Sequence, residues 1–460
     1  MSTLDSSIVN IALPVIMKDF SVTLSVIEWV PMIYLLTVSS LLLTFGRLSD
    51  IKGKREVYCL GFLIFVLGSL FCGLSNTAGR LIAARSLQGA GAAMIMACSP
   101  ALVADAFPMA ERGRALGMLG TVVAAGLTTG PAIGGLILEY LSWPVIFYIN
   151  IPIGLGATFI ASRALKKIDE TRSSEPLDLP GSMLLIVCFG SLLAGLTHMS
   201  GWGFFSAKTV GCFAAFVISA ICLAWIEIRT PYPVFDPLLL KLRLFTLPIL
   251  SAVILFASLF IITFLMPFYL VHPMAVPMDR VGGILMVPFF FLFFVSPLAG
   301  LISDRIGSRL LCTLSMALLS AALFLLSRLS TTASIMDVIW RLSLAGIAIG
   351  IFISPNSAAA MNAVPSNRRG IASGAVATAR NLGMVIGVAT AGLVFNTVFT
   401  ALSGEPSLRE YRPEMASSFM AAFQTAMHAG AGLAGVGVGV AFLRGKEPLN
   451  IKSQTPNKFQ

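Results

Sequence analysis

GRLSDIKGKR at residues 46–55 returns as GLISDRIGSR at residues 300–309. Each copy ends an apolar run, turns within a few residues at a glycine, carries an aspartate beside basic residues, and leads into another apolar run. The chain around these two loops repeats as well. RSLQGAGAAMIMACSPALVADAFP at 85–108 is echoed by RLSLAGIAIGIFISPNSAAAMNAVP at 341–365, and ERGRALG at 111–117 by NRRGIASG at 367–374. All three offsets lie close to 255 residues. Two homologous halves follow, and a parallel repeat of this kind is a transporter plan with its substrate site between the halves near the bilayer midplane.

The repeats sit in a chain of 460 residues that is 57% hydrophobic and only 11% charged, with a mean hydropathy of +0.90. A soluble chain of this size could not cover its surface with so few polar groups. Apolar runs of about bilayer-spanning length recur at 1–16, 25–46, 57–75, 80–104, 115–138, 145–165, 179–198, 207–227, 246–269, 281–300, 310–328, 332–360, 370–398 and 419–443. The expected fold is an all-α polytopic membrane protein of about fourteen helices. A β-barrel is excluded because its short strands alternate rather than run continuously apolar. The expected divisions are a six-helix half at 1–165, a linker at 166–245 with two inserted helices, a six-helix half at 246–443, and a tail at 444–460. Counted over alternate connections, about 21 of the 31 Lys and Arg fall on one side and about 7 on the other. Both termini are therefore expected in the cytoplasm of a multi-pass cell-membrane protein. The +10 net charge is then orientation rather than a nucleic-acid surface.

Five stretches, in order, resemble the major facilitator superfamily and, within it, the fourteen-helix drug:proton antiporters of the EmrB/QacA type. LDSSIVNIALP at 4–14 is similar to the first-helix motif, GRLSDIKGKR to the loop motif, and RSLQGAGAA at 85–93 to the fourth-helix arginine motif. GLTTGPAIGG at 126–135 is similar to the fifth-helix antiporter motif, and SWPVIFYINIPIG at 142–154 to a signature after it. Ile51 stands where the loop motif has a basic residue, and Pro144 stands where an arginine is usual. Only four residues precede Asp5, fewer than in the family. Span 1–16 reaches ~24 Å, short of the ~30 Å hydrocarbon core, so the natural chain is expected to begin upstream of Met1.

An ionisable side chain inside a spanning helix is expensive and reads as functional. Asp5 is the leading candidate for binding the coupling proton, because a carboxylate in a partly dry passage can take a proton from one side and release it to the other. Its bland alternative is an N-cap on a short helix. Arg85 has Leu81, Ile82, Gln88 and Gly89 at i±3 and i±4, so no acid on its own helix can neutralise it. It must look to another helix, where Asp5 and Glu28 are the acids available, or settle for backbone carbonyls. Arg341, its repeat, has Asp337 at i−4, and the span matching the first one holds no acid, which assigns proton chemistry to the first half. Glu28 is grouped with Asp5 and Arg85 as a proton-coupling candidate, and its position near the outer end of its helix reads either as attracting cations or as snorkelling to water.

Gly126, Gly130, Pro131, Gly134 and Gly135 allow close helix approach and a kink. By resemblance they form the antiporter motif that lets the helix rock. Gly46, Asp50, Gly53, Lys54 and Arg55 are read as a tight loop. By resemblance they form a cytoplasmic latch facing a helix N-terminus, with Asp304 and Arg305 as its weaker copy. Tyr34 and Arg380 are candidates for touching substrate, Arg380 through an anionic group unless it bonds a carbonyl. Phe256, Phe260, Phe264, Phe268 and PFFFLFF at 288–294 are expected to face lipid rather than cargo.

The seven cysteines form no CxxC pair and His198, His272 and His428 are isolated, so no metal site is expected. No P-loop supports ATP drive. No catalytic domain fits, so no enzyme is expected, and no cofactor beyond the proton. The first residues lack a basic n-region and do not read as a signal peptide. The expected partners are a small-molecule substrate and membrane lipid, with no nucleic acid and no required protein. The expected function is proton-coupled export of lipophilic or cationic drugs by alternating access. A dedicated exporter of one metabolite, antibiotic or lipid stands beside it, as does a membrane sensor or scaffold.

Overall fold

The computed structural model describes residues 1–107, 112–165, 179–230, 241–364, 369–405, 407–409 and 411–445. The ERGRALG and NRRGIASG echoes fall partly outside these residues. So do much of the linker and most of the tail.

The described chain is helical throughout. The first half comprises α1 (Ser2–Asp19), α2 (Leu24–Ile27), α3 (Trp29–Lys52), α4 (Lys54–Gly73), α5 (Ala78–Ala106), α6 (Arg112–Tyr140), α7 (Val145–Tyr148) and α8 (Asn150–Ala164). An inserted pair follows, α9 (Leu179–Trp202) and α10 (Ala207–Arg229). The second half comprises α11 (Arg243–Val271), α12 (Met278–Ile306), α13 (Ser308–Leu326), α14 (Ile335–Asn362), α15 (Arg369–Ser403) and α16 (Ala416–Phe442). With α2 joined to α3 and α7 to α8, this is a fourteen-helix polytopic protein. Among the described residues, twelve helices are long and apolar enough to cross a membrane. The other two are α1, whose 18 residues reach ~27 Å, and α6.

The repeat in sequence becomes a repeat in packing. In the first half α1 packs on α6, α3 on α5, α4 on α5 and α4 on α8. In the second half the matching pairs are α11 on α15, α12 on α14, α13 on α14 and α13 on α16. The halves meet through α6 on α12 and α3 on α15, again a reciprocal pair. The two loops that opened the analysis are chemically matched too. Gly53 and Gly307 turn the chain with φ of +108° and +83°, a left-handed conformation that a side chain resists. One expectation needs correction here: Gly46 and Asp50 lie inside α3, which runs to Lys52, so the loop is shorter than read.

Without a hydrophobic force between helices in lipid, small residues set how closely they approach. At the end of the molecule opposite the termini, Gly135 of α6 meets Gly282 of α12: a Cβ on Gly135 would lie 2.9 Å from the Gly282 Cα and 2.8 Å from the Met278 carbonyl oxygen. Side-chain caps close several helix starts at this end. Thr77 accepts from the Arg80 N–H at 3.3 Å, and Ser334 and Asp337 form a reciprocal capping box on α14.

The inserted pair is unequal. Helix α9 packs on both α3 and α15, touching both halves, with Thr44 donating to Ser182 at 2.7 Å. Helix α10 packs on α9 and leaves Val210, Val217, Ile218, Ile221 and Trp225 exposed, so it faces lipid. The phenylalanine stripe of α11 does not face lipid, contrary to expectation. Phe256, Phe260, Phe264 and Phe268 are all buried, Phe256 and Phe260 beside Gly383 and Gly387 of α15. In α12, Phe290 and Phe294 are exposed while Phe289 turns inward.

Candidate functional site: a buried ion pair and a sealed seam

Asp5 lies in the first turn of α1, inside the helix rather than capping it, and is 0% exposed. Its Oδ2 accepts from Nη1 of Arg85 on α5 at 2.5 Å. Its Oδ1 accepts from Gln88 Nε2 at 2.9 Å and from Asn150 Nδ2, at the start of α8, at 2.8 Å. Arg85 is equally enclosed. Its Nη1 also donates to Gln88 Oε1 at 2.6 Å, its Nε donates to the Val30 carbonyl at 3.3 Å, and its guanidinium lies 4.1 Å over the Tyr34 ring. The Gln88 amide is locked in one orientation because its Nε2 donates to Ser69 as well, at 2.8 Å, while its Oε1 takes Arg85. Arg85 therefore does find its acid on another helix, and the acid is Asp5.

Three donors converge on the Asp5 carboxyl, one on Oδ2 and two on Oδ1. A proton arriving on either oxygen competes with one of those donors. On Oδ2 it breaks the contact with Arg85, and losing one partner of a buried pair leaves the other charge uncompensated at a cost of about 3–5 kcal/mol. Protonation and ion pairing are thus alternatives, which is the elementary requirement of a proton switch.

Gln88 and Asn150 were not picked from sequence as site residues. Both sit inside quoted motifs, RSLQGAGAA and SWPVIFYINIPIG, where a buried amide is the available signal. Tyr34 belongs to this network instead of a substrate surface. It is 2% exposed and its hydroxyl donates to the Ser2 carbonyl at 3.1 Å.

On the opposite side of α1, Ser7, Asn10 and Ile11 line a cavity of about 20 Å³ between the halves, with Pro131, Thr263 and Phe289 among its other walls. That volume holds about one water and no cargo. Ser7 follows Asp5 by two residues, about 200° around the helix. The carboxyl and the cavity share a helix but not a face. The GLTTGPAIGG stretch serves the same helix: Gly126, Gly130 and Gly134 press on Thr3, Ser7 and Ile8 of α1, while Pro131 and Gly135 press on Gly282 of α12. Helix α6 is therefore clamped between α1 and the other half.

The seam between halves is sealed at the end opposite the termini. Leu24 N–H donates to the Leu408 carbonyl at 2.9 Å, and Arg409 Nε donates to the Ser21 carbonyl at 2.8 Å. Ser25 and Ser407 hydroxyls lie 3.2 Å apart, and Ser407 donates to Asn396 at 2.9 Å. Glu28 lies in this seam at 0% exposure, with neither carboxyl oxygen hydrogen-bonded. Snorkelling to water is thereby ruled out for it.

The remaining candidates are scattered. Lys54 opens α4, and Arg55 Nη2 donates to the Ser162 carbonyl at 2.9 Å, which ties the turn after Gly53 to its own half. Asp50 is half-buried in the last turns of α3, and Arg305 is exposed near the end of α12. The side chain of Asp304 lies outside the described residues. Arg341 carries its local partner, Asp337, at 3.9 Å. Arg380 is half-buried on α15 without a hydrogen bond or ion pair among the described residues. No group of three or more His, Cys, Asp and Glu is placed to hold a metal among the described residues.

The family model of the Major Facilitator Superfamily matches residues 1–388. The chain belongs to that superfamily. It is similar to the riboflavin transporter RibZ of Clostridioides difficile (strain 630), at 34% identity over 85% of this chain and 84% of that one. It is also similar to the multidrug resistance protein Stp of Mycobacterium tuberculosis (strain ATCC 25618 / H37Rv), at 32% identity over 90% of this chain and 77% of that one. An auto-inhibited peptide transporter of the POT family shares the fold, with a TM-score of 0.66 at 15% identity over 95% of this chain and 94% of that one. As a superfamily member the protein is a secondary-active, multi-pass membrane transporter of small molecules.

Proposed function

We propose that this carrier is a proton-coupled exporter of lipophilic or cationic compounds, of the fourteen-helix drug:proton antiporter kind, lying in the cell membrane with both termini cytoplasmic. The observation that carries the proposal is the buried Asp5–Arg85 pair, whose carboxyl can hold either a proton or the guanidinium. Proton arrival frees Arg85 and loosens α1 from α5 and α8. Helix α1 presents Ser7 and Asn10 to the inter-half cavity on its other face. Proton and cargo then act on one helix from two sides, and α6 passes the movement to α12 through Pro131, Gly135 and Gly282. Similarity to a protein named for multidrug resistance supports the broad cargo class.

The test is Asp5→Asn in cells and in everted vesicles. Expression should persist, while substrate-induced proton release and protonophore-sensitive efflux should vanish. Wild-type efflux in that variant would remove Asp5 from the mechanism. Similarity to a transporter named for riboflavin favours a second reading, a carrier dedicated to one metabolite. A substrate panel in the same vesicles separates the two, since a dedicated carrier answers one chemical class only.

A further inference from the structure

We infer that Glu28 is a second proton-binding site, loaded from the far-side solution each time the end opposite the termini closes. The argument starts from the surroundings of its carboxyl. Glu28 sits between α2 and α3, wholly buried, and its side chain reaches across the seam to the bare backbone of α15 at Gly392. A Cβ built on Gly392 would overlap the carboxyl, so only glycine leaves room for it. Neither carboxyl oxygen has a hydrogen-bond partner.

The charged and titratable groups of the surrounding elements are engaged elsewhere. Arg409 bonds the Ser21 carbonyl, and Asp19 accepts from the Trp143 indole at 2.8 Å. His198 of α9 stacks on Trp29 and Trp202, and His272 stacks on Tyr411. Lys18, at the end of α1, is exposed. On α15 the polar neighbour is Asn396, whose oxygen takes Ser407.

A carboxylate cannot remain ionised in such a place without a partner. In the closed seam Glu28 is therefore the neutral acid. Opening the seam parts α2 and α3 from α15 and lets water reach the Glu28 carboxyl, which then gives up its proton as an ordinary solvated acid does at neutral pH. The balance is one proton taken from the far-side solution on closing and one returned to the same solution on opening. Glu28 thus biases the gate without adding to the charge carried across. Its seat against Gly392 lies in the seam that Ser25–Ser407 and the packing of α3 on α15 help to hold. The inference rests on the alternating-access reading of the fold and is independent of coupling at Asp5.

The experiment measures the far-end gap directly. Spin labels at Lys18→Cys and Leu402→Cys, with Cys59, Cys212 and Cys222 replaced by serine, report the distance across the seam in the full chain in lipid nanodiscs. The wild type should populate the short distance at about pH 5 and shift to a longer one towards about pH 8. One linked proton moves the open-to-closed ratio by about tenfold per pH unit where the open form is ionised and the closed form is not. Glu28→Gln, and Glu28→Leu as a second uncharged variant, should stay at the short distance throughout. Gly392→Ala, which displaces the carboxyl, should open the gap even at the acidic end. Asp5→Asn should keep the wild-type response. A wild type without a pH response, or Glu28 variants that respond as the wild type does, overturns the inference. Loss of the response in Asp5→Asn alone would move the site to Asp5. Transport by Asp5→Asn, in contrast, sinks antiport and leaves these distances untouched.

Discussion

Asp5 and Ser7 are neighbours but one residue, yet the step between them separates an ion pair from the cavity between the halves. What holds the pair in place is a set of amides. Removing Asn150 leaves Oδ1 of Asp5 with Gln88 as its remaining donor, so Asn150→Ala should destabilise the folded protein by about 2 kcal/mol, the usual worth of a hydrogen bond to a charged group. The readout is a lower thermal midpoint in detergent, and an unchanged midpoint would deny the contact. A second residue-scale effect lies outside the spanning helices. His272 follows α11, and burial, helped by the positive charge of Lys18, pushes its imidazole down to about 4. The unfolded chain takes that proton at about 6.5, so it binds more protons than the native state between the two values. Stability is therefore full above about pH 6.5 and falls as the pH drops towards 4, and His272→Gln should flatten that part of a melting-versus-pH curve. Sequence disclosed Asp5 and Arg85 because a charge in an apolar run announces itself. Gln88 and Asn150 were hidden because a neutral amide gives no such signal until its neighbours across the bundle are known.

Helix boundaries and the repeat were legible because length, hydropathy and glycine turns are local properties. Facing was not. On α11 nearly every position is apolar, and lipid is as apolar as a protein interior, so periodicity cannot tell Phe264 at 0% exposure from Phe294 of α12 at 54%. The burial of Glu28 was hidden for a related reason, since its cover comes from Gly392 of α15, far away in the chain. Small residues at helix crossings are where substitution should act most cleanly. A Cβ on Gly282 would strike the Pro131 carbonyl, an immobile backbone atom, and would lie 3.0 Å from the Gly135 Cα. Gly282→Val should therefore hold α6 and α12 apart and keep the far end open. The check is alkylation of a cysteine placed at Ser25, now half-buried in the seam: it should react many-fold faster in the variant, and equal rates would show that the crossing does not govern closure.

At the scale of the whole molecule, two halves with one packing plan carry unequal chemistry. The first half holds a fully enclosed pair whose members come from α1 and α5. The second holds, at the matching place on α14, an arginine with a half-exposed aspartate in its own helix, and α11 offers no acid. The pair also lies entirely within one half, so opening and closing need not pull its charges apart across the seam. Enclosure has a consequence for the ions dissolved around the protein. Mobile salt shields charges that water surrounds, with a reach of about 8 Å at physiological strength, and does little to a pair it cannot approach. Under the proposed coupling, raising potassium chloride from about 0.05 M to about 0.5 M should thus leave the proton dependence of export where it was, measured at fixed proton gradient. A marked displacement would mean that electrolyte reaches the carboxyl during the cycle, and that the chamber around it floods.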